Sequence, residues 1–285
     1  MPRPEDMPGG RDRDVPLWRL YLLRAMFAVF VVGGFIVHPQ WMLAPDPTRR
    51  GMLDSMLAGL WVLSFLGLRY PLKMLPIFLF EFVWKTIWLL CFGLPQWMAG
   101  RVDAQLSEDL IMIGLGPLVF GLIIPWGYVF RTYVATAGPP WRRALSSPGI
   151  WTRGEHETSL ARLYVMRAIA LVFIVGGFSN YLPGLLAPDP AARGMLISML
   201  GGLWVLAYVV LRHPLQMVPI FLYELVWKAI WLLFFGLPQW SAGRVDPQLS
   251  KDLFEIGLFP FVFGLIIPWG YFWRHFVREP GDRWR

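Results

Sequence analysis

The chain has a single cysteine, Cys91, in 285 residues. That excludes an intramolecular disulfide and any cysteine-based metal cluster. Charge is scarce too, at 16% of residues against about a quarter in a typical soluble domain. Lysine is rarer still, and two of the few, Lys85 and Lys228, lie inside apolar segments. No G-x-G-x-x-G, Walker or H-E-x-x-H pattern is present, so no catalytic residue, metal or cofactor is expected from motifs. Residues 1–16 are rich in proline, glycine and charge and carry no apolar core. They read as a tail rather than a cleavable signal peptide.

Apolar side chains are what the chain has in excess. Hydrophobic residues make up 56%, mean hydropathy is +0.50, and there are 16 tryptophans. A disordered chain, a disulfide-rich secreted domain and a soluble enzyme are all excluded by this balance. The formal charge of +7 in so apolar a chain is no nucleic-acid footprint, and nucleic acid is not expected as a partner. An integral membrane protein remains, with the lipid bilayer as its first partner.

Shifted by about 143 residues, the sequence aligns 19–134 with 162–277 without a gap, and roughly two-thirds of positions are identical. RLYLLRA (19–25) faces RLYVMRA (162–168), and FGLPQW (92–97) recurs at 235–240. APDP (44–47) recurs at 187–190, and GLIIPWGY (121–128) at 264–271. This reads as a tandem duplication. None of the four histidines occupies equivalent positions in both copies, which leaves a symmetric bis-histidine haem or metal site without support.

Each copy holds four apolar segments of helix-spanning length. They fall near 17–37, 52–68, 71–94 and 110–130, then 160–180, 195–211, 214–237 and 253–273. The expected fold class is all-α, a polytopic membrane bundle of eight transmembrane helices arranged as two parallel four-helix repeats. The expected organisation is a cytoplasmic tail (1–16), repeat 1 (17–134), a cytoplasmic linker (135–159), repeat 2 (160–277) and a C-terminal tail (278–285). Arg69, Lys73, Arg131, Arg142, Arg143, Arg153, Arg274, Arg278, Arg283 and Arg285 fall on one side, so both termini are expected to be cytoplasmic in a bacterial inner (plasma) membrane. An even number of spans per repeat implies a pseudo-twofold along the membrane normal.

The third segment carries the candidate site. PIFLFEFVWKTIWLL (76–90) is mirrored by PIFLYELVWKAIWLL (219–233). Glu81 and Lys85 stand at i, i+4, as do Glu224 and Lys228, in the order that favours an ion pair. If the helix starts near Pro71, Glu81 lies roughly 15 Å along it, about mid-membrane, where a lone charge costs several kcal/mol. Trp84, Trp88, Trp227 and Trp231 form an aromatic face beside these pairs. The face Met74, Ile77, Phe78, Glu81, Trp84, Lys85 and Trp88 is identical in both copies, so it is expected to point into protein. Positions 73, 75, 80, 82, 86 and 91 differ and are expected on the flanks, with Phe80 and Thr86 tolerant of replacement.

Arg24 and Arg167 add one charge per copy, read first as snorkelling to the interface and second as joining an Arg–Glu–Lys network. Ser55–Gly59 and Ser198–Gly202 offer small-residue packing faces. Pro71, Pro76, Pro117 and Pro125 mark kinks or ends. Trp18, Trp41, Trp97, Trp126, Trp240 and Trp269 read as an interfacial belt. Arg101 and Asp103 read as a solvated loop pair or the gate of a mouth, in an outer loop spanning 94–110.

The E-x-x-W-K-x-x-W core, followed by GLPQW and IIPWGY, resembles a family of small bacterial membrane proteins built as single four-helix units with an ElxWKxxWL…P…PW pattern. The resemblance implies a four-helix fold and no particular activity, and this chain differs in carrying the pattern twice. A weaker similarity to DoxX-like proteins rests on helix number and GGF (33–35). Three functions stay open at this point. They are small-solute or ion translocation at the Glu/Lys site, a non-catalytic structural or accessory subunit packed among other membrane-protein subunits, and a lipid- or quinone-handling enzyme.

Overall fold

The computed structural model describes residues 15–43, 51–139, 141, 158–188 and 193–284. The APDP motif at 44–47, Arg49, Arg50, Arg142, Arg143, Arg153, His156 and Arg285 lie outside the described residues, as do most of the tail and linker. Among the described residues the secondary structure is helical, with no strand. Among these residues seven helices are long and apolar enough to cross a membrane, or eight if one bent pair is a single span. We label them α1 (Leu17–Leu43), α2 (Met52–Arg69), α3 (Leu75–Met98), α4 (Ala104–Ile123), α5 (Leu160–Asn180), α6 (Met195–Arg212), α7 (Val218–Ser241) and α8, the bent pair Pro247–Ile266 and Trp269–Arg278.

The helix ends follow from local chemistry. Asp103 and Asp246 accept hydrogen bonds from the Leu106 and Leu249 amides, both at 2.6 Å, and so start α4 and α8. Gly100 and Gly243 take the left-handed φ that closes the preceding turn. The outer loop expected over 94–110 is therefore a short turn, because helix continues through Leu94–Met98 and resumes at Ala104. Helix persists across Pro95 and Pro238 behind a π-turn at Leu89–Gly93 and Leu232–Gly236, where wider i→i+5 bonding accommodates a residue without an amide hydrogen.

Pro125 and Pro268 do break their helices. In α8 the two parts meet at 69°. The indoles of Trp126 and Trp269 donate to the Gly121 and Gly264 carbonyls at 2.7 and 2.6 Å, beside the breaks. These two tryptophans of the expected belt therefore cap the ends of the helices before the breaks. Trp41 leaves the expected belt altogether, being buried against Phe234 and Phe235.

Within the chain, packing sorts the helices into two compact units that cut across the sequence copies. One unit comprises Leu75–Met217, and so holds α3 and α4 of the first copy with α5 and α6 of the second. The other comprises Arg11–Met74 and Val218–Arg285, holding α1 and α2 with α7 and α8. In the first unit α6 packs on both α5 and α3, and α3 on α4. In the second, α2 packs on both α1 and α7, and α7 on α8.

The cross-copy seam is made by small residues. A β-carbon on Gly202 would meet Trp84 Cβ at 2.8 Å and Trp84 Cα at 3.2 Å. One on Gly59 would meet Trp227 Cβ at 2.8 Å and its Cα at 3.3 Å. Glycine is required there because the partner atoms are a Cα and the Cβ fixed to it, neither of which can swing aside. Ser55 and Ser198 are fully buried and return their hydroxyls to the Gly51 and Gly194 carbonyls at 2.7 Å, so neither leaves a polar atom exposed to lipid.

This seam corrects the expected tolerance of Phe80. Phe80 and its counterpart Tyr223 are fully buried, as are Leu75 and Val218. Their rings lie 3.3 and 3.2 Å from the β-carbon position of Gly202 and Gly59, and the Tyr223 hydroxyl donates to the Met56 carbonyl at 3.2 Å. The third helix of each copy is clamped on two sides, so a flank position that varies between copies is still core.

Gly202→Val should lower the melting temperature in detergent, since overpacking against fixed backbone costs about 1–3 kcal/mol. An unchanged melting temperature would contradict the close approach.

Candidate functional site

The two Glu/Lys pairs form as their spacing predicts. Lys85 Nζ lies 3.0 Å from Glu81 Oε2, and Lys228 Nζ lies 2.7 Å from Glu224 Oε2. The other carboxylate oxygen of each glutamate accepts from an indole: Trp84 Nε1 at 2.9 Å and Trp227 Nε1 at 3.3 Å. Each glutamate is thus held by two side chains from the following turn of its own helix. Glu81 is 2% exposed and Glu224 3%. At this burial an unpaired carboxylate would be very costly, and the ammonium and indole are what make the burial tolerable.

Aromatic faces complete the ammonium sites. Lys85 Nζ stands 5.4 Å from the Trp84 ring and 5.1 Å from Phe120. Lys228 Nζ stands 5.2 Å from Trp227, 5.1 Å from Phe263 and 4.3 Å from Phe259. Such contacts are worth about 2 kcal/mol or more when desolvated. The copies differ at one wall. Where the second has Phe259 over its lysine, the first has Gly116, and a β-carbon there would strike Lys85 Cδ at 2.2 Å. The lysine stem itself occupies the space that Phe259 fills in the other copy.

The depth of the pair differs from the expectation. Helix α3 starts at Leu75 rather than Pro71, which places Glu81 only roughly 9 Å along it and Lys85 roughly 15 Å. In a span of 24 residues the lysine, not the glutamate, is nearer the middle.

Trp88 and Trp231 are also buried, at 1% exposure. The Trp88 indole donates to the Arg193 carbonyl at 2.7 Å, just before α6. Arg193 then reaches Asp109 at 3.3 Å and Asp103 at 3.6 Å. Asp103 is therefore a helix cap and a partner of Arg193. This knot was illegible in the sequence, because Arg193 belongs to the other copy.

Arg24 and Arg167 neither snorkel nor join the glutamates. Arg24 is 4% exposed; its guanidinium donates to the carbonyls of Leu68 (3.2 Å), Asp282 (2.6 Å) and Arg283 (3.1 Å) and lies 3.9 Å from the Trp284 ring. Arg167 repeats the pattern on Leu211, Pro139 and Trp141. Each arginine ties the end of a second helix to the segment after a fourth helix. Nearby, Tyr70 donates to the Glu279 carbonyl at 2.7 Å, and at the equivalent position the His213 ring contacts the Tyr133 carbonyl at 3.0 Å. Burial holds the His213 imidazole below its usual range and so favours the neutral ring.

Compared with family models, curated proteins and solved structures, the chain matches none.

A double-mutant cycle reads the pair directly. Glu81→Gln alone leaves a buried ammonium and should cost about 3–5 kcal/mol, whereas Glu81→Gln with Lys85→Met should recover most of that loss. Thermal unfolding in detergent measures both. A double variant no more stable than the single one would contradict the pairing.

Proposed function

We propose that the chain is a non-catalytic accessory or structural subunit of a membrane assembly, a duplicated four-helix module whose intramembrane charges hold helices in place rather than carry a solute. The observation that carries this reading is the full engagement of Glu81. One oxygen is taken by Lys85 and the other by Trp84, at 2% exposure. A translocation site needs a partner that can exchange with a solute or a proton, and this carboxylate already has both its oxygens occupied. The arginines follow the same logic, tying helix ends to backbone carbonyls. The E-x-x-W-K-x-x-W resemblance to small four-helix membrane proteins fits a module of this kind.

We place the chain in a bacterial inner membrane with its termini on the cytoplasmic side. In the discontinuous unit Arg24, Arg69, Lys73 and Arg283 gather at the end where the start of α1 meets the C-terminal segment. Arg167 and Arg212 gather likewise with Val134, Thr136 and Pro139 in the other. Basic residues at one end of a bundle are what the positive-inside bias selects.

Translocation keeps one observation in its favour. With Gly116 in place of a phenylalanine wall, the Lys85 side chain is 13% exposed against 7% for Lys228.

Reconstitution separates the readings. Liposomes containing the protein should leak ions and small solutes no faster than protein-free liposomes, and protein extracted in a mild detergent from its native membrane should elute ahead of the purified chain run alone in the same detergent. Flux that disappears in the Glu81→Gln/Lys85→Met variant, from a chain eluting alone, would contradict the accessory role.

A further inference from the structure

Each unit repeats one arrangement where an arginine near the start of a first helix meets the segment after a fourth. In sequence, GDRWR (281–285) corresponds to GPPWR (138–142), and Arg24 corresponds to Arg167. Each arginine gives Nε and Nη2 to equivalent carbonyls, those of Leu68 and Asp282 in one unit and of Leu211 and Pro139 in the other. A tryptophan ring covers each guanidinium, Trp284 at 3.9 Å and Trp141 at 4.3 Å.

The two arrangements differ in their counter-charge. Asp282 accepts from the Leu72 amide at 2.9 Å and sets its carboxylate within electrostatic reach of Arg24. Arg283 takes Arg24 Nη1 on its carbonyl at 3.1 Å and gives its own guanidinium to the Val15 carbonyl at 2.7 Å. In the other unit prolines 139 and 140 stand at both positions. Pro139 has no side-chain acceptor to offer Arg167, or the amide of Leu215, the counterpart of Leu72.

The consequence is an unmade bond at a buried cation. Arg167 is 2% exposed, yet its Nη1 is buried without a hydrogen-bond partner, and among the described residues no carboxylate pairs with it. Thr158, the counterpart of Val15, likewise buries a hydroxyl oxygen without a partner. Buried donors in folded proteins are almost always bonded, and a charged one left unbonded is the most costly kind. In the other unit a carboxylate and a carbonyl from the chain itself do this work.

We propose that Arg167 Nη1 and the Leu215 amide bind an oxyanion, a carboxylate or phosphate group, in the place that Asp282 takes beside Arg24. A soluble anion and a lipid headgroup both carry this chemistry. Entry requires the exposed Trp141 ring to turn aside. The site rests on neither the Glu/Lys pairs nor the accessory role. Thermal unfolding of the full chain in a neutral detergent, at fixed ionic strength set with chloride, tests it. Inorganic phosphate should raise the melting temperature if the source is soluble, since a ligand of the folded state stabilises it. If the source is a headgroup, phosphatidylglycerol should do so where phosphate and phosphatidylcholine do not. Pro139→Asp supplies the carboxylate from the chain, and should shift the response to roughly tenfold higher ligand, about one charge-assisted hydrogen bond. Native mass spectrometry of the unaltered chain, which needs no variant to fold, should retain one phosphate or one phosphatidylglycerol. A melting temperature that responds to neither ligand, or that responds equally in Pro139→Asp, would overturn the proposal. So would an unaltered chain that retains neither.

Discussion

The structure depends on two close approaches of helix backbones, α6 on α3 at Gly202 and α2 on α7 at Gly59. In lipid there is little hydrophobic gain in burying one apolar helix against another, so association relies on tight packing and polar contacts. A missing side chain on the second helix lets the third come within van der Waals range of it. That contact buries Phe80 or Tyr223 at the seam and brings in the helix that carries the Glu/Lys pair. Because the glycine of one copy receives the tryptophan of the other, each compact unit must draw two spans from each half of the chain.

The buried charges are arranged around this seam and around the helix ends. Glu81 and Glu224 are each neutralised from within their own helix, which requires no partner from a neighbour. Their arginine counterparts act at a distance along the chain. Arg24 links α1, the end of α2 and residues 282–283; Arg167 links α5, the end of α6 and residue 139. Packing brings the halves together and the arginines fasten their ends, so loss of an arginine partner should loosen one end of a unit without disturbing the seam.

Much of this was legible in the sequence. The apolar runs place the spans, i, i+4 spacing announces the ion pairs, and the Ser-xxx-Gly faces are where the second helices pack. Three things were hidden for physical reasons. Self-similarity identifies which segments are equivalent but not which touch, so the exchange of partners between copies left no trace. Variation between copies points to a tolerant flank position, yet Phe80 and Tyr223 are both large rings that fill the same slot, one with an added hydroxyl bonded to Met56. Arg24 near a span's end looks able to reach water, whereas two of its three carbonyl partners come from residues more than 250 positions away.

The central claim is that each compact unit contains helices from both halves of the chain. A protease site placed within residues 142–157 would cut the connection between the halves while leaving every described helix whole. After cleavage in detergent, the two fragments should co-elute as one particle and separate only on unfolding, because α6 still holds α3 and α2 still holds α7. Separation into two folded, monomeric four-helix fragments would contradict the account.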